Sequence, residues 1–182
     1  MNNGQVPSAM NNGNILKARA QVLAREISGT EAAAELLDIV EFMIGGEYYG
    51  IELKFVREIY PLKKITPLFS APDFIAGIVN VRGEIISVVD MKKFFNLRDM
   101  EKNKKPDIII LENKEMTFGL LTDRIIGMDR VDKSSIQSSL PTLTGIREAY
   151  LLGIAKGRTA IIDGGRILGD EKMHIDITLI KR

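Results

Sequence analysis

The sequence predicts a mainly β protein, a small barrel or sandwich, preceded by a short N-terminal helix. From Leu37 onward, short runs rich in β-branched and aromatic residues alternate with Gly- and Pro-bearing breaks, and little of this stretch has helical periodicity. The chain also echoes itself. Gly50 in Tyr49-Gly50-Ile51 and Gly119 in Phe118-Gly119-Leu120 lie 69 residues apart. Gly77 in Phe74-Ile75-Ala76-Gly77-Ile78 and Gly153 in Tyr150-Leu151-Leu152-Gly153-Ile154 lie 76 apart, and Asp90 and Asp163, each ending an apolar run, lie 73 apart. Three matches in preserved order predict two similar halves, about 37–95 and 107–170, each a small barrel. Barrels of that size have thin cores, so the two are expected to share an apolar interface.

The elements follow in order. Residues 1–36 read as an extension. Residues 1–14 are Asn- and Gly-rich and expected to be disordered, and the repeat of Met1-Asn2-Asn3-Gly4 at Met10-Asn11-Asn12-Gly13 makes Met10 a candidate alternative start. Leu16, Ala20, Leu23 and Ile27 form a narrow helical stripe, predicting a short helix over about 15–27 that is stopped at Ser28-Gly29 and followed by a linker. In the body (37–182), Ile39–Ile44 and Glu47–Ile51 form a hairpin around Gly45-Gly46, and Phe55–Tyr60 is a third strand ended by Pro61. Ala71–Ile75 reads as one helical turn with Pro72 at its first position. Ile78–Val81 and Ile85–Asp90 flank a turn at Arg82-Gly83, and the charged segment 96–106 is a connecting loop. The second set comprises Asp107–Glu112, Met116–Leu121, Tyr150–Ala155 and Thr159–Asp163, with a turn at Lys156-Gly157-Arg158.

Composition narrows the function. The 182 residues carry 25 Lys and Arg against 24 Asp and Glu, a net charge of +1, which denies a duplex nucleic-acid binder its phosphate-neutralising affinity. With 7 Phe, 4 Tyr and no Trp, stacking platforms for single strands are scarce. There is no Cys and a single His, His174, which excludes thiolate chemistry, Cys-ligated metal and His-pair zinc sites and disfavours hydrolytic triads. No apolar run approaches the length of a membrane span, and no export signal is visible, so the expected location is cytoplasmic.

Candidate chemistry reduces to a few residues. Asp90, Asp123, Asp129 and Asp163 follow or end apolar runs; paired carboxylates serve acid–base or cation chemistry, but Asp is also a common strand terminator, the reading favoured here. Gly164–Gly169 lacks phosphate-loop spacing, Lys102–Lys105 is a solvated basic run, and His174 has no visible partner. No catalytic constellation, metal site or cofactor is expected. The competing reading is a small-ligand-binding or enzymatic barrel protein in which Arg82 and Asp90 face a molecule held between the barrels.

The segment Phe74–Asp90, with Tyr49-Gly50-Ile51, Val56-Arg57-Glu58-Ile59, Phe118-Gly119-Leu120-Leu121 and Tyr150-Leu151-Leu152-Gly153-Ile154, closely resembles the CheW family of chemotaxis coupling proteins, over about residues 37–170. The resemblance implies two intertwined five-stranded SH3-like barrels around a common core, and a non-enzymatic adaptor. It implies as partners the regulatory domain of the histidine kinase CheA and the cytoplasmic tip of chemoreceptors, within membrane-associated arrays, without insertion into the membrane. Carried over by motif, Arg82 falls on an arginine needed for function, Val56 and Glu58 on positions of receptor interaction, and Gly77 and Gly83 in the same functional segment. Two departures stand out: Ser87 where many members have Pro, and Gly164-Gly165 where helix formers are usual, which predicts a shorter or displaced terminal helix.

Overall fold

A computed structural model describes residues 35–69, 71–98, 106–138 and 146–173. The predicted helix near 15–27, the run Lys102–Lys105 and His174 lie outside the described residues. In chain order the elements are β1 (Leu36–Ile44), β2 (Glu47–Glu52), β3 (Val56–Pro61), β4 (Ile75–Val81), β5 (Glu84–Asp90) and α1 (Met91–Phe94). Then follow β6 (Asp107–Glu112), β7 (Thr117–Thr122), β8 (Arg124–Asp132), α2 (Ile146–Tyr150), β9 (Leu151–Ala155), β10 (Thr159–Ile162) and α3 (Gly164–Leu168).

The strands build two five-stranded sheets, ordered β8-β1-β2-β10-β9 and β3-β6-β7-β5-β4. Each half of the chain therefore lends its opening hairpin to the other. β1–β2 joins β8 through the antiparallel pair β1–β8 and β9–β10 through the parallel pair β2–β10; β6–β7 joins β3 through the antiparallel pair β3–β6 and β4–β5 through the parallel pair β5–β7. The expectation that each half closes into its own barrel gives way to this exchange, which agrees with the intertwined arrangement implied by the resemblance. A sequence echo reports that two segments are alike; it does not report which strands they pair with.

Period-two alternation distributes the core. Leu37 and Ile39 of β1 pack with Val131, Ala155 and Ile161 inside the first sheet's barrel, while Val40, Phe42 and Ile44 turn the other way. Ile108 and Ile110 of β6 pack with Val79, Val81, Ile86 and Val88 inside the second barrel, while Ile109 and Leu111 turn outward. The outward-turned residues of both sheets meet in one shared core with Tyr49, Ile51, Phe94, Phe118, Leu120 and Ile167. Strands buried on both faces need apolar side chains at every position, which accounts for the unbroken run Ile108–Leu111.

Several local readings change. Ala71–Ile75 is a single turn closed by the Ile75 N–H on the Pro72 carbonyl at 2.8 Å, and Ile75 already belongs to β4. Phe55 ends a 3₁₀ turn, and Tyr150 ends α2 instead of opening β9. β8 escaped the sequence reading because Gly127 and four charged residues, Arg124, Asp129, Arg130 and Asp132, break up its apolar alternation; it forms once β1 supplies its partner from Leu36 to Met43. Asp90 and Asp163 are helix N-caps, accepting hydrogen bonds at 3.0 Å from the N–H groups of Lys92 and Arg166. Gly164 is demanded by packing, since a Cβ there would lie 2.2 Å from the Phe55 ring; α3 forms all the same, its cap offsetting poor propensity.

Candidate functional site

β3 and β4 are the two edges of their sheet, and the site lies where the segment after β3 and the β4–β5 turn bridge them. The segment after β3 crosses to β4, where the Thr66 N–H donates to the Ile78 carbonyl at 2.9 Å and the Ile78 N–H to the Thr66 carbonyl at 2.8 Å. Gly77 makes this approach possible. Its φ is +147°, and a Cβ would lie 2.3 Å from the Thr66 oxygen. Gly77 is thus buried under the crossing segment, supporting the site from below.

The β4–β5 turn then projects from the seam. Arg82 (φ +52°) and Gly83 (φ +93°) are its central residues, and the Gly83 N–H donates to the Asn80 side-chain oxygen at 2.9 Å. Arg82 keeps 81% of its side chain exposed, with Nη2 held 3.0 Å from Glu58 Oε2 on β3. β3 itself carries a bulge: Val56 pairs with Leu111 and Glu58 with Ile110, leaving Arg57 as the extra residue. Arg57 Nη1 lies 3.0 Å from Glu84 Oε2 and 3.5 Å from Glu112 Oε1. Two guanidiniums and three carboxylates therefore lace the seam. Val56, beside them, is half-buried and packs on the shared core.

The five predicted residues thus fall in two groups. Glu58, Arg82 and Gly83 meet at the seam with Val56 at its margin, and Gly77 serves the backbone crossing. Arg57, Glu84 and Glu112 were missed: the Arg57-Glu58 neighbourhood is visible in the sequence, but the acids that Arg57 reaches come from β5 and β6. The structure does not bring Arg82 and Asp90 together, since they lie at opposite ends of β5, a strand of seven residues, about 20 Å.

The other barrel has a matching seam. Gln137 and Ile154 exchange backbone hydrogen bonds of 3.0 Å beside Gly153, and Lys156 (φ +51°) and Gly157 (φ +69°) occupy the β9–β10 turn. Lys156 donates to Asp129 of β8; that bond and one from the Arg130 N–H hold the Asp129 carboxyl below the usual carboxylate range. The bulge residue of β8 is Ile126, and Met128 beyond it leaves 77% of its surface exposed. Leu53, Met128 and the Asp38–Arg130 ion pair line an open hollow next to that strand. At the base of β9, burial pushes the Tyr150 phenol up to about 12, helped by its hydrogen bond to Asp170.

Against known proteins, the model of the CheW-like domain matches residues 38–172. The chain belongs to the CheW-like family. Chemotaxis protein CheW of Treponema pallidum is 30% identical over 132 residues, 70% of this chain and 78% of that protein. CheW of Bacillus subtilis is 29% identical over 136 residues, 73% of this chain and 87% of that one. The crystal structure of the scaffolding protein TtCheW from Thermoanaerobacter tengcongensis superposes with a TM-score of 0.66 at 33% identity, covering 77% of this chain and 89% of that chain. CheW relatives of these kinds mark the chain as a chemotaxis scaffold or adaptor, and none of their names denotes an enzyme. Among the described residues no helix is long and apolar enough to cross a membrane, and no group of three or more His, Asp or Glu side chains is placed to hold a metal ion.

Proposed function

We propose that this chain is a non-enzymatic adaptor that binds the regulatory domain of the histidine kinase CheA and the cytoplasmic hairpin tip of chemoreceptors. It thereby couples receptor state to kinase activity in membrane-associated arrays. The observation that carries this reading is the β3/β4–β5 seam: an exposed guanidinium, anchored at one nitrogen by Glu58 on β3, the strand that also carries the half-buried Val56. A helical receptor hairpin offers carboxylates and an apolar stripe, and the donors of Arg82 not turned to Glu58 form a fork suited to a carboxylate. In this reading Val56, Glu58 and Arg82 touch the receptor, and Gly77 and Gly83 act by holding the turn. The kinase domain takes the β8 edge of the other barrel, where Ile126 and Met128 leave apolar surface exposed.

Titration calorimetry against the host's own kinase regulatory domain and a receptor tip fragment tests both contacts. Micromolar binding, roughly −8 kcal/mol, is expected of such transient contacts. Arg82→Ala and Val56→Ala should weaken the receptor fragment, and Met128→Asp the kinase domain. A folded wild type that binds neither protein overturns the adaptor reading.

A further inference from the structure

Arg57 holds a place that the fold does not require to be charged. At the corresponding bulge of the other barrel the extra residue is Ile126, and that seam closes without a guanidinium there. On β3 the bulge brings Arg57 and Glu58 to the same side, with Arg57 Nε 3.9 Å from Glu58 Oε1. The stronger contacts of Arg57 go elsewhere, to Glu84 at 3.0 Å and Glu112 at 3.5 Å. Glu84 stands two residues beyond Arg82 on the same hairpin and belongs to the same charge cluster, an alternative carboxylate for the Arg82 guanidinium. Glu112 adds a third carboxylate to the cluster.

We propose that Arg57 is a positioning residue. By engaging Glu84 and Glu112 it leaves Glu58 as the partner of Arg82 and so sets the direction in which the Arg82 guanidinium is offered to a partner. Without Arg57, two uncompensated carboxylates compete with Glu58 for Arg82, and the guanidinium swings back over its own hairpin. The binding consequence rests on the receptor reading above; the redirection of Arg82 does not.

The test uses the full chain as wild type, Arg57→Gln, Arg57→Lys and the double variant Arg57→Gln/Glu84→Gln. The Arg82 Nε–Hε resonance in the free protein should move in Arg57→Gln and return toward its wild-type position in the double variant. Affinity for the receptor tip fragment should fall at least fivefold in Arg57→Gln, recover to within about twofold in the double variant, and lie between in Arg57→Lys. The thermal midpoint should be the same in all four. A brace that only held the seam together would lower the midpoint and would not be rescued by losing a second side chain. An unmoved resonance, or a double variant no better than Arg57→Gln, overturns the proposal. If the wild type fails to bind the fragment while the resonance shifts as described, the receptor reading falls and the redirection of Arg82 stands.

Discussion

The two seams are built on one backbone plan and finished with different chemistry. Each barrel ties its edge strands by crossing a segment over a glycine that has no room for a Cβ, which would lie 2.3 Å from a carbonyl oxygen at Gly77 and 2.4 Å at Gly153. Each then projects a turn whose first central residue is a cation with φ near +50°, paired to an acid on the opposite edge: Arg82 to Glu58, Lys156 to Asp129. The differences lie in the side chains. The first seam has a planar guanidinium, a second arginine at the bulge and three carboxylates. The second has a point-charge ammonium, an isoleucine at the bulge and an exposed methionine. What the seams share is what closes a five-stranded barrel-like sheet; what they do not share is free to serve partners.

The largest effect is expected in the core common to both sheets: Ile109→Ala should cost about 4 kcal/mol and leave a single urea transition, because neither barrel keeps a complete core without the other. Two separate transitions would show that the barrels fold as independent units. Next come the crossings. Gly77→Ala and Gly153→Ala should each cost about 3 kcal/mol, measured as shifts in urea midpoint, since each Cβ meets backbone oxygen and the φ of +147° suits glycine. Unequal costs would mean that one seam alone bears the closure.

The cations at the turns should then separate function from closure. Arg82→Ala is expected to weaken the receptor fragment about tenfold, near 1.4 kcal/mol, and Lys156→Ala to leave that affinity within about twofold. Each should change stability by less than about 1 kcal/mol, as exposed ion pairs do. Equal losses of affinity would place the receptor elsewhere on the surface. The smallest effect is in pH dependence. Because Asp129 titrates below the ordinary carboxylate range in the folded chain, its pairing stabilises the fold above the unfolded carboxyl's value and is lost as pH falls through the folded one. In a carbon-detected NMR titration, Lys156→Met should move the Asp129 midpoint up toward the usual range; an unmoved midpoint would assign the depression to the Arg130 backbone bond instead.

Much of this was legible in the residues. Apolar runs bounded by Gly, Pro or Asn located nine of the ten described strands to within a few positions, because each carries its own turn chemistry. β8 alone depended on a partner strand for its definition. The motif Asn80-Val81-Arg82-Gly83 pointed to the projecting turn through Gly83, which takes its φ of +93° without a Cβ penalty, while Arg82 takes φ +52° in spite of its Cβ and the Asn80 side chain caps the turn. Val56 and Glu58 came through resemblance, and nothing local marked them as neighbours of Arg82.

Nine of the ten described strands, the likeness of the halves, the two projecting turns and the kinship with CheW were written in the chain, for these rest on spacing and on turn residues that act within a few positions. Which sheet each hairpin joins, and so which carboxylates surround Arg57 and Arg82, was settled by packing. Glu84 and Glu112 reach Arg57 from 27 and 55 residues away. Pairing at that range is selected by burying both faces of the exchanged hairpins in one core, a global packing condition that no local pattern of side chains can encode.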